Sequence, residues 1–302
     1  MKMKLPNFLI VGAAKCGTTS LHNYLNQHSN IFMPSFDVNG LKVKEPRFLI
    51  KDLVKERLHN GVWHYDEYKD LFSKAKDELA IGEASVLYLY FYQHAIKNIK
   101  HYLDENVKII IMLRNPTERA YSAYQHVSRG LKEKNSFEEA LLIEDDRMVN
   151  DPAITPMVMY SEMGMYYKMV KAYLDAFKNV HIILYDDFST NTNTELGKVY
   201  QFLGVENTTK KIDIKKHNVG GIRWRNETLK HFFLGNNFLK SLIKVVLPRN
   251  LSKLIYLIFS NLSNVKVKPI AEETRIKLNN HFKNDITKLS KLINKDLTHW
   301  SR

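Results

Sequence analysis

Residues 12–20, Gly-Ala-Ala-Lys-Cys-Gly-Thr-Thr-Ser, have the composition of an anion cradle. An apolar run, FLIV at 8–11, precedes them, and a helical pattern from Thr19 to Gln27 follows. Strand, glycine-bounded loop and helix start together aim backbone N–H groups and a helix N-terminus at a phosphate. Gly12 and Gly17 permit the tight turns, the N–H groups from Gly17 to Ser20 can converge at the helix start, and Lys15 can reach across the same anion. Loops that hold ATP or GTP follow G-x-x-x-x-G-K-[ST], with the lysine at the terminal phosphates and a hydroxyl on magnesium. Here the glycine spacing is kept, but Thr18 follows Gly17 and the lysine lies inside the loop. The displaced lysine points to a different terminal group. Cys16 has small neighbours and no local histidine, so it reads as a side chain that lets the loop close rather than as a nucleophile.

A second segment, VKIIIMLRNPTERAYSAYQHVSRG at 107–130, repeats the design in another form. Its strand ends at Arg114, a turn passes through Asn115 and Pro116, and a helix carries Ser122 roughly two turns on. An arginine at a strand's C-terminal end faces the crevice where open α/β sheets bind ligands. Arginine plus hydroxyl makes a clamp for a second, separate phosphate. Glu45, flanked by Lys42, Lys44 and Arg47, would stay ionised. The residues alone leave it open between a solvated charge cluster and a carboxylate that takes part in chemistry. His126, four residues past Ser122, is read as a polar helix residue, and Tyr166, Tyr167 and Trp224 as core aromatics before adenine-stacking ones.

These groups need a scaffold. Apolar, β-rich runs stand at 8–11, 79–82, 107–113 and 180–184, separated by helical stretches, which predicts a parallel sheet covered by helices. Helices are expected over Thr19–Gln27 and Pro116–Arg129, around Tyr166, Val170, Tyr173, Leu174 and Phe177, and through Phe282, Ile286, Leu289 and Ile293. The fold class is thus α/β, a P-loop-type open parallel sheet flanked by helices with a helical C-terminal elaboration, in a single domain over 1–302. The basic stretch 206–226 is the candidate mobile segment. Of the 302 residues, 44% are hydrophobic and 25% charged, as in soluble globular proteins. The net charge of +13 favours anionic ligands, and one cysteine excludes a disulfide framework or a cysteine-rich zinc site. The apolar run at the N-terminus is too short for a signal peptide. The apolar stretch 238–262 is broken by Lys240, Lys244, Pro248, Arg249 and Lys253, so it reads as core, dimer contact or membrane-surface segment and not as a transmembrane helix. A cytoplasmic protein, in places peripheral to a membrane at most, is expected. Oligomeric state is not legible.

The two phosphate segments together resemble the sulfotransferases that use 3'-phosphoadenosine 5'-phosphosulfate (PAPS), particularly the Golgi heparan sulfate sulfotransferases and their bacterial relatives. AAKCGTTSL resembles the family's 5'-phosphosulfate loop and LRNPTERAYSAY its 3'-phosphate motif. KVKEPRFL at 42–49 resembles its K-E-x-x-F-F segment, GEASVLYL at 82–89 its S-P-x-Y segment, and GMYYKMVKAYLDAF with VHIILYDDF its helix–strand module. The resemblance implies that Lys15, Cys16, Gly17, Thr18, Thr19 and Ser20 surround the 5'-phosphosulfate, with Lys15 stabilising the leaving oxygen. It further implies that Arg114 and Ser122 hold the 3'-phosphate, and that Glu45 is the general base for an acceptor hydroxyl or amine. Lys216 and Arg223, in the basic loop KKHNVGGIRWRN, are further 3'-phosphate candidates. The products would be a sulfated acceptor, with a glycan favoured over a small molecule, and adenosine 3',5'-bisphosphate; no metal and no nucleic acid would be needed. Gly82-Glu83-Ala84-Ser85-Val86 departs from relatives with a lysine and a proline there. Glu83 is either a second carboxylate near the acceptor or a member of a structural salt bridge. The rival reading is a P-loop small-molecule kinase using ATP and magnesium, with Arg114 and Ser122 as scaffold. Non-catalytic binding of nucleic acid or acidic glycan would use the charge alone and leave the ordered motifs unexplained.

Overall fold

A computed structural model describes residues 4–35, 37, 40–41, 43–129, 133–209, 212–214, 222–224, 264–266 and 268–301. Its centre is a parallel sheet of five strands: β1 (Phe8–Gly12), β2 (Ile31–Phe32), β3 (Ala80–Ala84), β4 (Lys108–Leu113) and β5 (Val180–Leu184), in the spatial order β2-β3-β1-β4-β5. β1 is the middle strand. It pairs with β3 through Leu9 opposite Glu83 and with β4 through Leu9 opposite Ile109. Phe8, Leu9, Ile10 and Val11 are wholly buried, as are Ile109 to Leu113. That is why these strands are continuous apolar runs with no alternation: helices cover both faces.

The chain leaves β1 first towards β3 and later returns to build β4 on the other side, so the strand order switches direction at β1. The C-terminal ends of β1 and β4 therefore flank a topological switch point, where ligands bind in open α/β sheets. β2 has only two residues, too few to show a period in sequence. β3 begins at Ala80 and runs on to Ala84, because Leu79 lies exposed outside the sheet.

The helices are α1 (Thr18–Leu25), α2 (Lys51–Val54), α3 (Tyr65–Asp70), α4 (Tyr92–Tyr102), α5 (Pro116–Arg129), α6 (Phe137–Leu142), α7 (Glu144–Asn150), α8 (Tyr166–Ala176), α9 (Tyr185–Thr190), α10 (Thr192–Leu203) and a C-terminal helix, Glu272–Ile293. α5 starts where its sequence dictates. Pro116 opens it, and Asn115 Oδ1 accepts hydrogen bonds from the N–H groups of Thr117 (3.0 Å) and Glu118 (3.3 Å). The C-terminal helix buries Phe282, Ile286 and Leu289 against the domain, in contact with α8 and α5, and leaves Ile293 half-buried. Trp300, beyond it, is wholly buried: its indole donates to Asp186 (2.8 Å) and its carbonyl accepts from Asn115 (3.1 Å). The C-terminal elaboration thus reaches the turn that starts α5. A two-stranded antiparallel ribbon, β6 (Ile222–Trp224) with β7 (Asn264–Lys266), lies against α5. Lys42, Lys216 and the stretch 238–262 fall outside the described residues, as do parts of 206–226.

Candidate active site

The loop after β1 is held open as an anion cradle. Its first residue, Ala13, donates to the carbonyl of Met112 in β4 (2.7 Å), and Lys15 and Gly17 take left-handed conformations, φ 70° and 91°. A Cβ on Gly17 would sit 3.0 Å from the Tyr185 ring, so this position needs glycine for conformation and for space. Ser20 and Leu21 return their N–H groups to the Gly17 carbonyl (3.0 and 3.2 Å). The N–H groups of Gly17, Thr18 and Thr19 remain at the helix start without backbone partners among the described residues. Ser20's share in an anion contact would fall to its hydroxyl, which lies by Tyr24. Cys16 faces inward. Its N–H turns to Ala13 (3.3 Å), and its buried Sγ lies 3.8 Å from the Tyr166 hydroxyl. Burial raises the thiol's pKa despite the nearby Arg119, which is consistent with a space-filling role.

Lys15 forms no hydrogen bond or ion pair among the described residues. Partial burial, then the charges of Arg129 and Arg114, bring its pKa down from 10.5 to about 8. Among the described residues no carboxylate pairs directly with this ammonium; Glu45 acts on it only at longer range. Arg114 stands across the crevice from the loop. Tyr166 donates to its carbonyl (3.1 Å), its guanidinium lies over the Tyr185 ring (4.9 Å to the centroid), and Glu118 is a distant partner at 3.9 Å. Glu118 is taken up chiefly by Arg275 at 2.6 Å. Tyr185, at the C-terminal end of β5, therefore touches both Arg114 and the space beside Gly17, and fixes the distance between the two cationic ends.

Along α5, Glu118, Ser122, His126 and Arg129 share one face by helical spacing. Glu118 is beside Arg114 at one end of the stripe, and His126 and Arg129 act electrostatically on Lys15 or are acted on by it at the other. Ser122 lies between them, its hydroxyl without a partner among the described residues. Arg129 has no carboxylate partner there either. His126 is exposed on this face; desolvation, then Lys15 and Arg129, lower its pKa, and it stays a polar helix residue beside the site. Arg223 lies in β6, against α5, and the placement of its side chain is not described. Tyr166, fully buried against Trp300, is a core aromatic as expected.

Glu45 completes the group. Its Oε1 is 3.2 Å from Lys44 Nζ and its Oε2 is 3.2 Å from Arg47. Burial pushes its pKa up, but Lys44 and Arg47 outweigh that and hold it below the ordinary carboxylate value. It is ionised at neutral pH, and its charge is felt by Lys15, His126 and buried His22. Glu83 belongs to no salt bridge among the described residues, and Glu45 acts on it at longer range. Glu83 is wholly buried and accepts from three hydroxyls: Tyr88 (2.7 Å), Ser85 (2.8 Å) and Tyr68 (3.2 Å), with no cation in contact among the described residues. Sequence reasoning missed Arg129 and Tyr185. The spacing of Arg129 from Ser122 was the available signal; nothing in the sequence marks Tyr185 apart from other aromatics.

The sulfotransferase domain family model matches residues 5–219. The chain belongs to the sulfotransferase domain family. The crystal structure of a sulfotransferase from Alicyclobacillus acidocaldarius superposes with a TM-score of 0.72 at 30% identity, covering 99% of this chain and 100% of that one. Human carbohydrate sulfotransferase 15 is 26% identical in an alignment 253 residues long that covers 67% of this chain and 44% of that protein. Human bifunctional heparan sulfate N-deacetylase/N-sulfotransferase 2 is 25% identical in an alignment 214 residues long that covers 67% of this chain and 22% of that protein. The chain thus spans less than half the length of these two curated relatives. Among the described residues of this sulfotransferase domain, no helix is long and apolar enough to cross a membrane, and no group of three metal-ligating side chains is assembled.

Proposed function

We propose that this sulfotransferase domain moves the sulfuryl group of PAPS onto a hydroxyl or amine of a carbohydrate acceptor. The observation that carries the reading is the Lys15 ammonium, without a direct ion pair among the described residues, near helix-start N–H groups that have no backbone partners there, with ionised Glu45 acting on it and Arg114 across Tyr185. Two separated cationic ends suit a nucleotide with one anionic group at the 5' end and one at the 3' end. Lys15 and the N–H groups of Gly17, Thr18 and Thr19 would hold the 5'-phosphosulfate; Arg114 and Ser122 would hold the 3'-phosphate.

In the transfer, the acceptor oxygen or nitrogen forms a bond to sulfur as the bond from sulfur to the bridging oxygen breaks. The acceptor's proton passes to Glu45, and the negative charge left on the 5'-phosphate of adenosine 3',5'-bisphosphate is stabilised by Lys15. Lys44 and Arg47 keep Glu45 ionised and aimed, at some expense of basicity. The names of the relatives support a carbohydrate acceptor.

The test is transfer from sulfur-radiolabelled PAPS to a panel of glycans, small alcohols and tyrosine peptides. Transfer to a glycan is expected. Glu45→Gln should lower turnover by about 10²–10⁴-fold while adenosine 3',5'-bisphosphate still raises the melting temperature. Undiminished turnover in that variant removes Glu45 from the chemistry. Stabilisation by ATP–magnesium alone would favour the kinase reading.

A further inference from the structure

Glu83 lies in β3, opposite Leu9 of β1, and no step of the transfer uses it. Three hydroxyls donate to a carboxylate with no exposure to solvent, and two of them have a second partner. Ser85 Oγ donates to Glu83 Oε2 (2.8 Å) and accepts from the N–H of Arg47 (3.0 Å). The Tyr88 hydroxyl donates to Glu83 Oε1 (2.7 Å) and accepts from the N–H of Leu49 (3.3 Å). The third, from Tyr68 (3.2 Å), belongs to a ring that stacks on Phe48 at 4.5 Å between centroids. One carboxylate therefore grips three consecutive residues, 47, 48 and 49, through intermediaries from two segments.

Those residues lie directly after Glu45. Arg47 takes a left-handed conformation, φ 58°, which reverses the chain and lets its guanidinium return to Glu45 Oε2 at 3.2 Å. A hydroxyl has one proton. Because Glu83 accepts it from both Ser85 and Tyr88, their lone pairs are directed at the two amides. We infer that Glu83 is a positioning residue for catalysis: its carboxylate, through Ser85 and Tyr88, holds the turn that aims Glu45 at the acceptor. The consequence for transfer rests on Glu45 being the base; the clamp itself does not.

The groups facing Glu83 are Tyr68 from α3, Tyr88 and Ser85 from the turn after β3, Tyr173 from α8 and, at longer range, Glu45. None is a cation. Burial raises Glu83 to about 7, against the lowering effect of its three hydroxyl donors and with a small push from Glu45. Once protonated it has a proton of its own to place, and one of the three hydroxyls loses its acceptor. Glu83→Gln fixes that neutral state at every pH.

The experiment compares the wild-type domain with Glu83→Gln and Ser85→Ala, reading kcat against pH, affinity for adenosine 3',5'-bisphosphate, and hydrogen exchange of the Arg47 and Leu49 amides. At pH 8, Glu83→Gln is expected to lower kcat at least tenfold, speed exchange of both amides at least tenfold, and leave nucleotide affinity within twofold. The wild-type kcat should fall as pH drops through about 7, and the variant should lack that limb. Ser85→Ala should speed exchange at Arg47 and not at Leu49, with a smaller loss of kcat. Unchanged exchange in Glu83→Gln overturns the clamp, as does wild-type kcat in Ser85→Ala with Arg47 exchanging freely. If Glu83→Gln does not fold, the Ser85→Ala pair of readouts decides. Failure of the Glu45 reading would show separately, as full turnover in Glu45→Gln with the exchange results intact.

Discussion

At the scale of the residue, the site turns on Lys15, an ammonium with no direct ion pair among the described residues. A lysine brought from 10.5 to about 8 by burial and two arginines is in part deprotonated in the free protein at mildly alkaline pH. An anion arriving beside it restores the ordinary state and draws a proton from solution. The sign follows: nucleotide affinity is highest below about pH 8 and falls above it, approaching tenfold per pH unit where proton uptake is complete. Titration calorimetry with adenosine 3',5'-bisphosphate across that range should show the decline. Lys15→Arg, charged throughout, should bind with a flat profile whatever its absolute affinity. A wild-type profile as flat as the variant's would detach Lys15 from the nucleotide. Arg114 has only a ring and a 3.9 Å carboxylate to leave when an anion arrives. Its removal in Arg114→Ala should therefore weaken nucleotide binding by about 10–100-fold, the effect of one or two charge-assisted hydrogen bonds. Equal affinity in the variant would take the 3'-phosphate away from Arg114.

At the scale of the element, the sequence is legible where local chemistry alone decides. α5 runs over Pro116–Arg129 as expected, because a proline and an asparagine cap fix its start without tertiary help. β1 and β4 stand within a residue of their apolar runs, since burial on both faces forces continuous hydrophobicity; the edge strand β5 matches its run with its first three residues only half-buried. β2 was invisible because two residues carry no period. The polar stripe on α5 that ends in Arg129 was readable from Ser122 by adding four and seven. The hydroxyl clamp on Glu83 could not be read, because its partners come from 15 residues upstream and 5 downstream of it and meet only after folding. The C-terminal helix was legible as an apolar stripe, but its reach to Asn115 through Trp300 was not. That reach makes the helix part of the site's support. Phe282 is wholly buried, its ring within 2.7 Å of where a Cβ on Gly164 would lie. Phe282→Ala should cost about 3–5 kcal/mol in urea denaturation and weaken nucleotide binding as the α5 turn loosens. Ile276→Ala, on the exposed side of the same helix, should stay within about 0.5 kcal/mol. Equal effects would mean that the helix is not anchored by that face.

At the scale of the whole molecule, two buried titrating groups near Glu45 act against each other. Glu83 is raised from 4.5 to about 7, so the folded state holds its proton more tightly than the unfolded chain. Its stabilising contribution is complete below about pH 4.5 and is lost as pH rises through about 7. His22 is lowered from 6.5 to about 4, chiefly by burial and then by Lys44, so the folded state holds it neutral. Its contribution is present above about pH 6.5 and is lost as pH falls through about 4. Each displacement corresponds to about 3 kcal/mol at most, and the two windows nearly coincide. Over about pH 4.5–6.5 their slopes cancel, and the domain's stability is set by its other carboxylates. Glu83→Gln removes one side of the balance. Its stability relative to wild type should rise by about 3 kcal/mol between pH 4.5 and 7, measured by urea denaturation at a series of pH values, whatever the constant offset from its altered hydrogen bonds. Curves that run parallel would show that Glu83 titrates alike in the folded and unfolded states, and that the three hydroxyls are enough to keep a buried carboxylate ionised at an ordinary pKa.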